Sequence, residues 1–181
     1  DYLGETREAI GFEKAGIFRP GRPAILGEAQ PPQSLLDHAA SIGARLQIMG
    51  RDFGYMAEQG QWTFWSRRGR RGGLAYPALR GAIQLANAST AIAVLEALAE
   101  RLPVSMQDIR RGLIEVELPG RFQVLPGRPT VVLDVGHNPQ AAGSLSRWLQ
   151  ATPTKGRTLA VFSLLADKDL STYVCLGYPV M

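Results

Sequence analysis

Residues 130–142 read TVVLDVGHNPQAA, an apolar run that ends in Asp134, Gly136, His137, Asn138 and Pro139. The β-branched residues predict a strand, and Pro139 suits a first helical position because its missing N–H has no partner there in any case. Polar groups therefore gather at the carboxyl end of a strand, where open α/β sheets bind ligands. The Asp134 carboxylate can accept from ribose hydroxyls or hold a metal-bound water, and His137 can donate to a phosphate at a helix amino terminus. A plainer reading also fits: a helix cap beside a structural histidine, since Asn and Asp both cap well.

The elements that must position these groups alternate along the chain. Apolar spacing predicts a helix over residues 6–15, stopped by Gly16, and a short buried strand at 24–26. Pro31 and Pro32 open a second predicted helix that runs to Ile42 and is closed by Gly43, before a strand at 45–49. Together these form one wound α/β unit. Residues 53–56 and 62–65 predict a β-hairpin around Gln59 and Gly60, with aromatic side chains on the buried face. The strongest helix is 82–101, rich in alanine, leucine and isoleucine, largely buried and ended by Pro103. Ser105 caps a further helix over 106–114, with Asp108 in its first turn. Leu118, Pro119 and Gly120 mark a domain boundary. Strands at 121–125, 131–135 and 158–164, with a helix at 139–149, predict a second parallel α/β unit beyond it.

Composition narrows the classes. The 181 residues are 45% hydrophobic and 20% charged, as in a globular protein that buries a core. No apolar run reaches the roughly 20 residues that span a bilayer, and the acidic opening is unlike a secretory signal, so a cytoplasmic location is expected. The single Cys175 forms no internal disulfide, and with only His38 and His137 no Cys/His zinc site can be assembled. Net charge is +4, and the one dense basic cluster, Arg67, Arg68, Arg70 and Arg71, lies among glycines. It can neutralise phosphates, but a solvated hairpin tip is the expectation.

With these residues placed, 133–139 resembles the D-[VY]-[AG]-H-N-P motif of the Mur ligase superfamily. DYLG at 1–4, IGFEKAGI at 10–17, LPGRFQ at 118–123 and LLADKD at 164–169 resemble, in order, blocks of the bacterial bifunctional dihydrofolate synthase and folylpolyglutamate synthase family. The resemblance covers about residues 1–170 and leaves 171–181 unmatched. It implies an α/β fold: the latter part of a Mur-ligase-type central ATPase domain over 1–118, then the first part of a Rossmann-like C-terminal domain over 119–181.

The resemblance also implies roles. Lys14, in EKAGI, matches the lysine that the family carbamylates, giving an oxygen-bearing group to support a magnesium ion, which wants hard oxygen ligands. Standing alone, it would read as a surface lysine on an amphipathic helix. Asn87, in AIQLANASTA, matches the asparagine near the nucleotide base, where a carboxamide can donate and accept. Arg121 matches the arginine that reaches the ATP phosphates through its planar fork, and Asp134 and His137 match further nucleotide contacts. Asp167, Lys168 and Asp169 are expected near the cleft, or else as a solvated charge run.

None of the three lysines follows a glycine, so no G-x-x-G-K-[ST] phosphate loop is present in these residues. An internal piece of a longer ligase is expected, inactive alone. The implied parent reaction uses ATP and Mg2+ to join L-glutamate to dihydropteroate or folate through an acyl phosphate. The partners implied are small molecules, without nucleic acid or membrane. Two alternatives stay open on the residues alone: a peptidoglycan-type Mur amino-acid ligase, or a nucleotide- or nucleic-acid-binding module that uses the arginine cluster.

Overall fold

Thr6 opens the first helix, α1 (Arg7–Ala15), by accepting from the Ala9 amide through its hydroxyl at 3.1 Å. A computed structural model describes residues 4, 6–79, 81, 83–152, 154–161 and 163. The chain divides into two units, Asp1–Pro77 with Leu85–Glu115, and Ala78–Gln84 with Val116–Met181.

In the first unit, β1 (Pro23–Leu26) and β2 (Arg45–Ile48) pair in parallel, Pro23 opposite Arg45 and Leu26 opposite Ile48. A parallel pair needs a crossover, and α2 (Gln33–Ser41) supplies it, so the first wound unit forms as expected. The two prolines precede the helix instead of filling its first turn: Pro32 is the cap position and offers no side-chain hydrogen bond. Glu8 performs that task from α1, its carboxylate accepting the amides of Gln33 at 3.2 Å and Ser34 at 2.8 Å. The helices approach closely because Gly11 faces Pro32; a Cβ at Gly11 would lie 2.7 Å from the proline ring.

The expected hairpin is longer and gains a strand. β3 (Phe53–Glu58), β4 (Gln61–Ser66) and β5 (Gly69–Leu74) form an antiparallel meander in that order. Trp62, Thr63 and Phe64 are all buried, which strict alternation forbids. The register explains it: Trp62 faces Leu74 and Phe64 faces Arg71, so β5 carries one extra residue there. Gly73, at φ +65°, takes the left-handed conformation that such a bulge favours. Glycine and arginine in GRRGGL hide this strand from a pattern based on apolar alternation.

The arginine cluster is only partly a solvated tip. Arg67 and Arg68 lie in the β4–β5 turn, but Arg67 bonds Asp52, and Arg71 bonds the buried Glu96 at 2.9 and 2.8 Å. Side chains of Phe53, Trp62, Phe64 and Leu74 from the meander meet Leu85, Ala88, Ile92 and Ala93 of α3 (Gln84–Ala97) and Ile109 of α4 (Met106–Glu115), making one core. α3 is shorter than its sequence pattern, and it buries one face; Val94 remains exposed on the other. At α4 the Ser105 hydroxyl accepts from the Asp108 amide, and the Asp108 carboxylate accepts from the Ser105 amide and hydroxyl, a reciprocal cap.

Three carboxylates of this unit ionise more readily than usual. The amide and hydroxyl of Ser34 lower Glu8, and the hydroxyl and amide of Ser105 lower Asp108. Burial pushes Asp52 up, but the Arg51 hydrogen bonds, the Ile48 amide, the Arg51 charge and Arg67 together hold it below its ordinary value. Because the folded values are depressed, the stability they contribute is complete above the ordinary values of 4.5 for Glu8 and 3.8 for Asp52 and Asp108. It is lost as pH falls through the lower folded values. Urea midpoints should therefore be flat from about pH 7 to 5 and decline below about pH 4.5, and Asp52→Asn should make that decline shallower. An equal slope in the variant would remove Asp52 from the account.

In the second unit, β6 (Gln123–Leu125) and β7 (Val131–Leu133) pair antiparallel, with Val124 opposite Val132, and α5 (Pro139–Ala151) follows. This corrects the expected second parallel unit at its first strand, which joins it antiparallel. Residues 126–130 are too few for a crossover, so the chain can only turn back on itself. Residues 158–161 form no strand; Leu159 and Val161 are exposed, at 81% and 99%. The rest of that expected strand, the LLADKD block and Cys175 lie outside the described residues. No helix among the described residues is long and apolar enough to cross a membrane.

Candidate functional site in the second unit

Gly120 starts the site. Its φ of +69° and the 2.6 Å that would separate a Cβ from Val135 Cγ1 both demand glycine. The approach lets the Val135 amide donate to the Gly120 carbonyl at 2.7 Å, and the Gly120 amide donates to Gln123 Oε1 at 3.1 Å. The LPGRF segment is thereby tied to the chain leaving β7.

Asp134 completes the tie. One carboxylate oxygen accepts from the Phe122 amide at 2.9 Å and the other from the Gly136 amide at 2.7 Å. Phe122 itself has φ +52°, a conformation that costs a bulky L-residue about 1–2 kcal/mol. It is held there by the Asp134 bond and by its ring, which lies 3.9 Å from that of Trp148, centroid to centroid. Arg121, one residue earlier, is exposed and makes no ion pair with a described residue. A small cleft of about 160 Å³ is bordered by Arg121, Phe122, Asp134, Asn138 and Trp148.

His137 sits beside this cleft in sequence but does not line it. Its Nδ1 is 3.1 Å from the Val135 carbonyl, which can only accept, so Nδ1 carries a proton and Nε2 is the ring nitrogen left to meet a ligand. Asn138, extended at φ −141°, caps α5 by accepting from the Ala141 amide at 2.9 Å, and Pro139 follows in the first turn. The cap of the plainer sequence reading is thus Asn138, while Asp134 braces the loop.

Arg121 and Asp134 are brought together on one cleft. Lys14, exposed in the last turn of α1, and Asn87, exposed on α3, belong to the first unit. Among the described residues no three His, Cys, Asp or Glu side chains are grouped to hold a metal. Lys14, even carbamylated, would offer one ligand without companions here, so the described residues do not compose a magnesium site. Asp167, Lys168 and Asp169 lie outside the described residues. Phe122 and Trp148 escaped sequence reasoning, although Asn138, Ala141, Leu145 and Trp148 have the i, i+3, i+7, i+10 spacing of a single helix face.

Residues 120–177 match the model of the Mur ligase glutamate ligase domain. The chain is 43% identical over 171 residues to the dihydrofolate synthase/folylpolyglutamate synthase of Escherichia coli, covering 94% of this chain and 39% of that protein. It is 32% identical to the folylpolyglutamate synthase of Lacticaseibacillus casei, covering 92% of this chain and 41% of that one. Among solved structures, E. coli FolC in complex with DHPP and ADP superposes with a TM-score of 0.87 at 41% identity, over 97% of this chain and 41% of that one. A bifunctional folylpolyglutamate synthase/dihydrofolate synthase with Mn, AMPPNP and L-glutamate bound superposes at 0.85, with 41% identity, over 98% of this chain and 41% of that one. The chain thus spans about two fifths of the length of these relatives. Ordered motifs, fold and sequence identity agree, and the chain belongs to the dihydrofolate synthase/folylpolyglutamate synthase family of Mur ligases.

Proposed function

We propose that these residues are part of a cytoplasmic, ATP-dependent ligase that joins L-glutamate to dihydropteroate, folate or both. The observation that carries this reading is the 43% identity spread over 94% of the chain, well beyond the motifs alone. The same breadth favours a folate ligase over a peptidoglycan-type ligase or a nucleic-acid module. In this reading, residues 1–118 are the latter part of a central ATPase domain and residues 119–181 the first part of the C-terminal domain.

The reaction proceeds in two steps. A substrate carboxylate oxygen attacks the terminal phosphorus of ATP, ADP leaves, and an acyl phosphate forms. The glutamate amine then adds to the acyl carbon, loses a proton, and the tetrahedral intermediate expels phosphate to leave the amide. Charge stabilisation dominates such transfers. Arg121 supplies a guanidinium to the nucleotide phosphates, His137 offers Nε2 at the amino end of α5, and Asp134 keeps the loop between them in shape. Asn87 meets the adenine base. Carbamylated Lys14 would give one oxygen to the magnesium ion that ATP brings; the ion's remaining ligands are not found among the described residues, and no step here is assigned to it.

Glutamate-dependent ADP release tests the proposal. A protein of the relatives' full length that carries these residues should release ADP only when glutamate and a pteroate are both present. The 181-residue chain should release none, having no phosphate loop. Turnover by this chain alone would overturn the reading. In the longer protein, His137→Ala should lower kcat/KM by about tenfold to a hundredfold. His137→Gln, whose amide nitrogen reaches about as far as Nε2, should recover part of that loss, and equal losses in both variants would leave His137 a structural role only.

A further inference from the structure

A second concave surface, in the first unit and apart from the nucleotide reading, is built from arginine held by carboxylate. It encloses about 420 Å³ and is lined by Arg45, Arg67, Arg68, Asp52, Glu96 and Glu100 among others. That volume falls within the roughly 300–1,000 Å³ of small-molecule sites.

The Asp52 side chain is 1% exposed, yet it meets two arginines. Oδ2 accepts from Arg51 Nε at 3.0 Å, Arg51 Nη2 at 2.8 Å and the Ile48 amide at 2.8 Å, and Oδ1 accepts from Arg67 Nη2 at 2.5 Å. The Arg67 side chain remains 80% exposed, so one anchored nitrogen leaves the rest of its fork to solvent. The Glu96 carboxylate is likewise engaged by Arg71. Arg45 and Arg68 make no ion pair with any described residue. The lining holds three guanidinium groups and three carboxylates, but Asp52 and Glu96 are buried and already held by Arg51 and Arg71 from outside it, so Arg45, Arg67 and Arg68 share the open surface with Glu100 as its exposed carboxylate. The surface is therefore short of negative charge, and its donors are planar forks that match oxyanions in pairs.

We infer that this pocket binds a small, multiply charged oxyanion, with Arg67 preset by Asp52 and Arg45 and Arg68 closing on the ligand. Two sources share that chemistry, a phosphate and a dicarboxylate. The test is calorimetric titration of the 181-residue chain at low ionic strength with inorganic phosphate and, separately, with glutarate. Saturable binding of either one is expected, and which of them binds names the source. Arg45→Gln and Arg68→Gln should each weaken it about tenfold. These side chains carry no structural ion pair, so the variants should keep the parent's circular dichroism. Arg147→Gln on α5, in the other unit, should leave the affinity unchanged. No saturable heat with either anion, equal affinity in all three variants, or binding of a single-stranded oligonucleotide without response to both small anions would overturn the proposal.

Discussion

Trp62→Ala is expected to cost the first unit about 3–5 kcal/mol, the range seen when large aromatic residues are truncated in a packed core. Trp62, the second residue of β4, is fully buried in the core that the meander shares with α3 and α4, and its indole nitrogen donates to the Ala75 carbonyl at 2.8 Å. Alanine would leave a cavity and orphan that carbonyl together. Since whole domains are stable by only about 5–15 kcal/mol, the loss would take about a fifth or more of what holds this unit together. Trp65→Ala is the control: its side chain is half-buried and covers Gly54 from the flank, so the cost should be smaller. Urea unfolding followed by far-ultraviolet circular dichroism measures both. If the two variants shifted the midpoint equally, the meander and α3 would not be the organising core.

The second large effect is on chemistry. Asp134→Ala removes the acceptors of the Phe122 and Gly136 amides in one change. Phe122 then has no polar bond holding it at φ +52°, and relaxation toward ordinary backbone would swing the neighbouring Arg121 out of place. In the longer protein, ATP-dependent turnover should fall about a hundredfold, the scale on which a displacement of about 1 Å disables a positioned group. The stability loss should be a modest ~1–3 kcal/mol, as for other lost bonds to a charged acceptor. Asp134→Asn separates bracing from direct nucleotide contact. Its carboxamide keeps one acceptor but turns an NH2 toward a second N–H donor, so only one tie survives. An Asn variant as active as the parent would mean that the brace is dispensable.

Much of the fold was legible because local rules and tertiary packing agree. The helices at 7–15, 33–41, 84–97, 106–115 and 139–151 each fall within a few residues of their apolar pattern. Ser105 and Asn138 stand at the expected ends because orphan amides need acceptors wherever a helix begins. The errors share a cause. β5 carries glycine and arginine where a strand pattern wants β-branched residues, and it is held by pairing with β4 across a short turn and by the Arg71–Glu96 contact, which is remote in sequence. Over its described residues 158–161 the strand expected at 158–164 does not form, for the converse reason: an apolar run has strand propensity, but propensity alone does not supply strand pairing.

The order of motifs, read from residues alone, determined the family and named candidate site residues, because each block constrains composition over a few neighbouring positions. What only the tertiary structure decided is how those side chains are held. That Asp134 braces Phe122, that His137 turns Nδ1 to its own backbone, and that Arg67 rests on a buried carboxylate fifteen residues away all depend on distances across loops and strands. A carboxylate finds its donors by proximity in space, and proximity is set by the packing of the whole unit rather than by spacing along the chain.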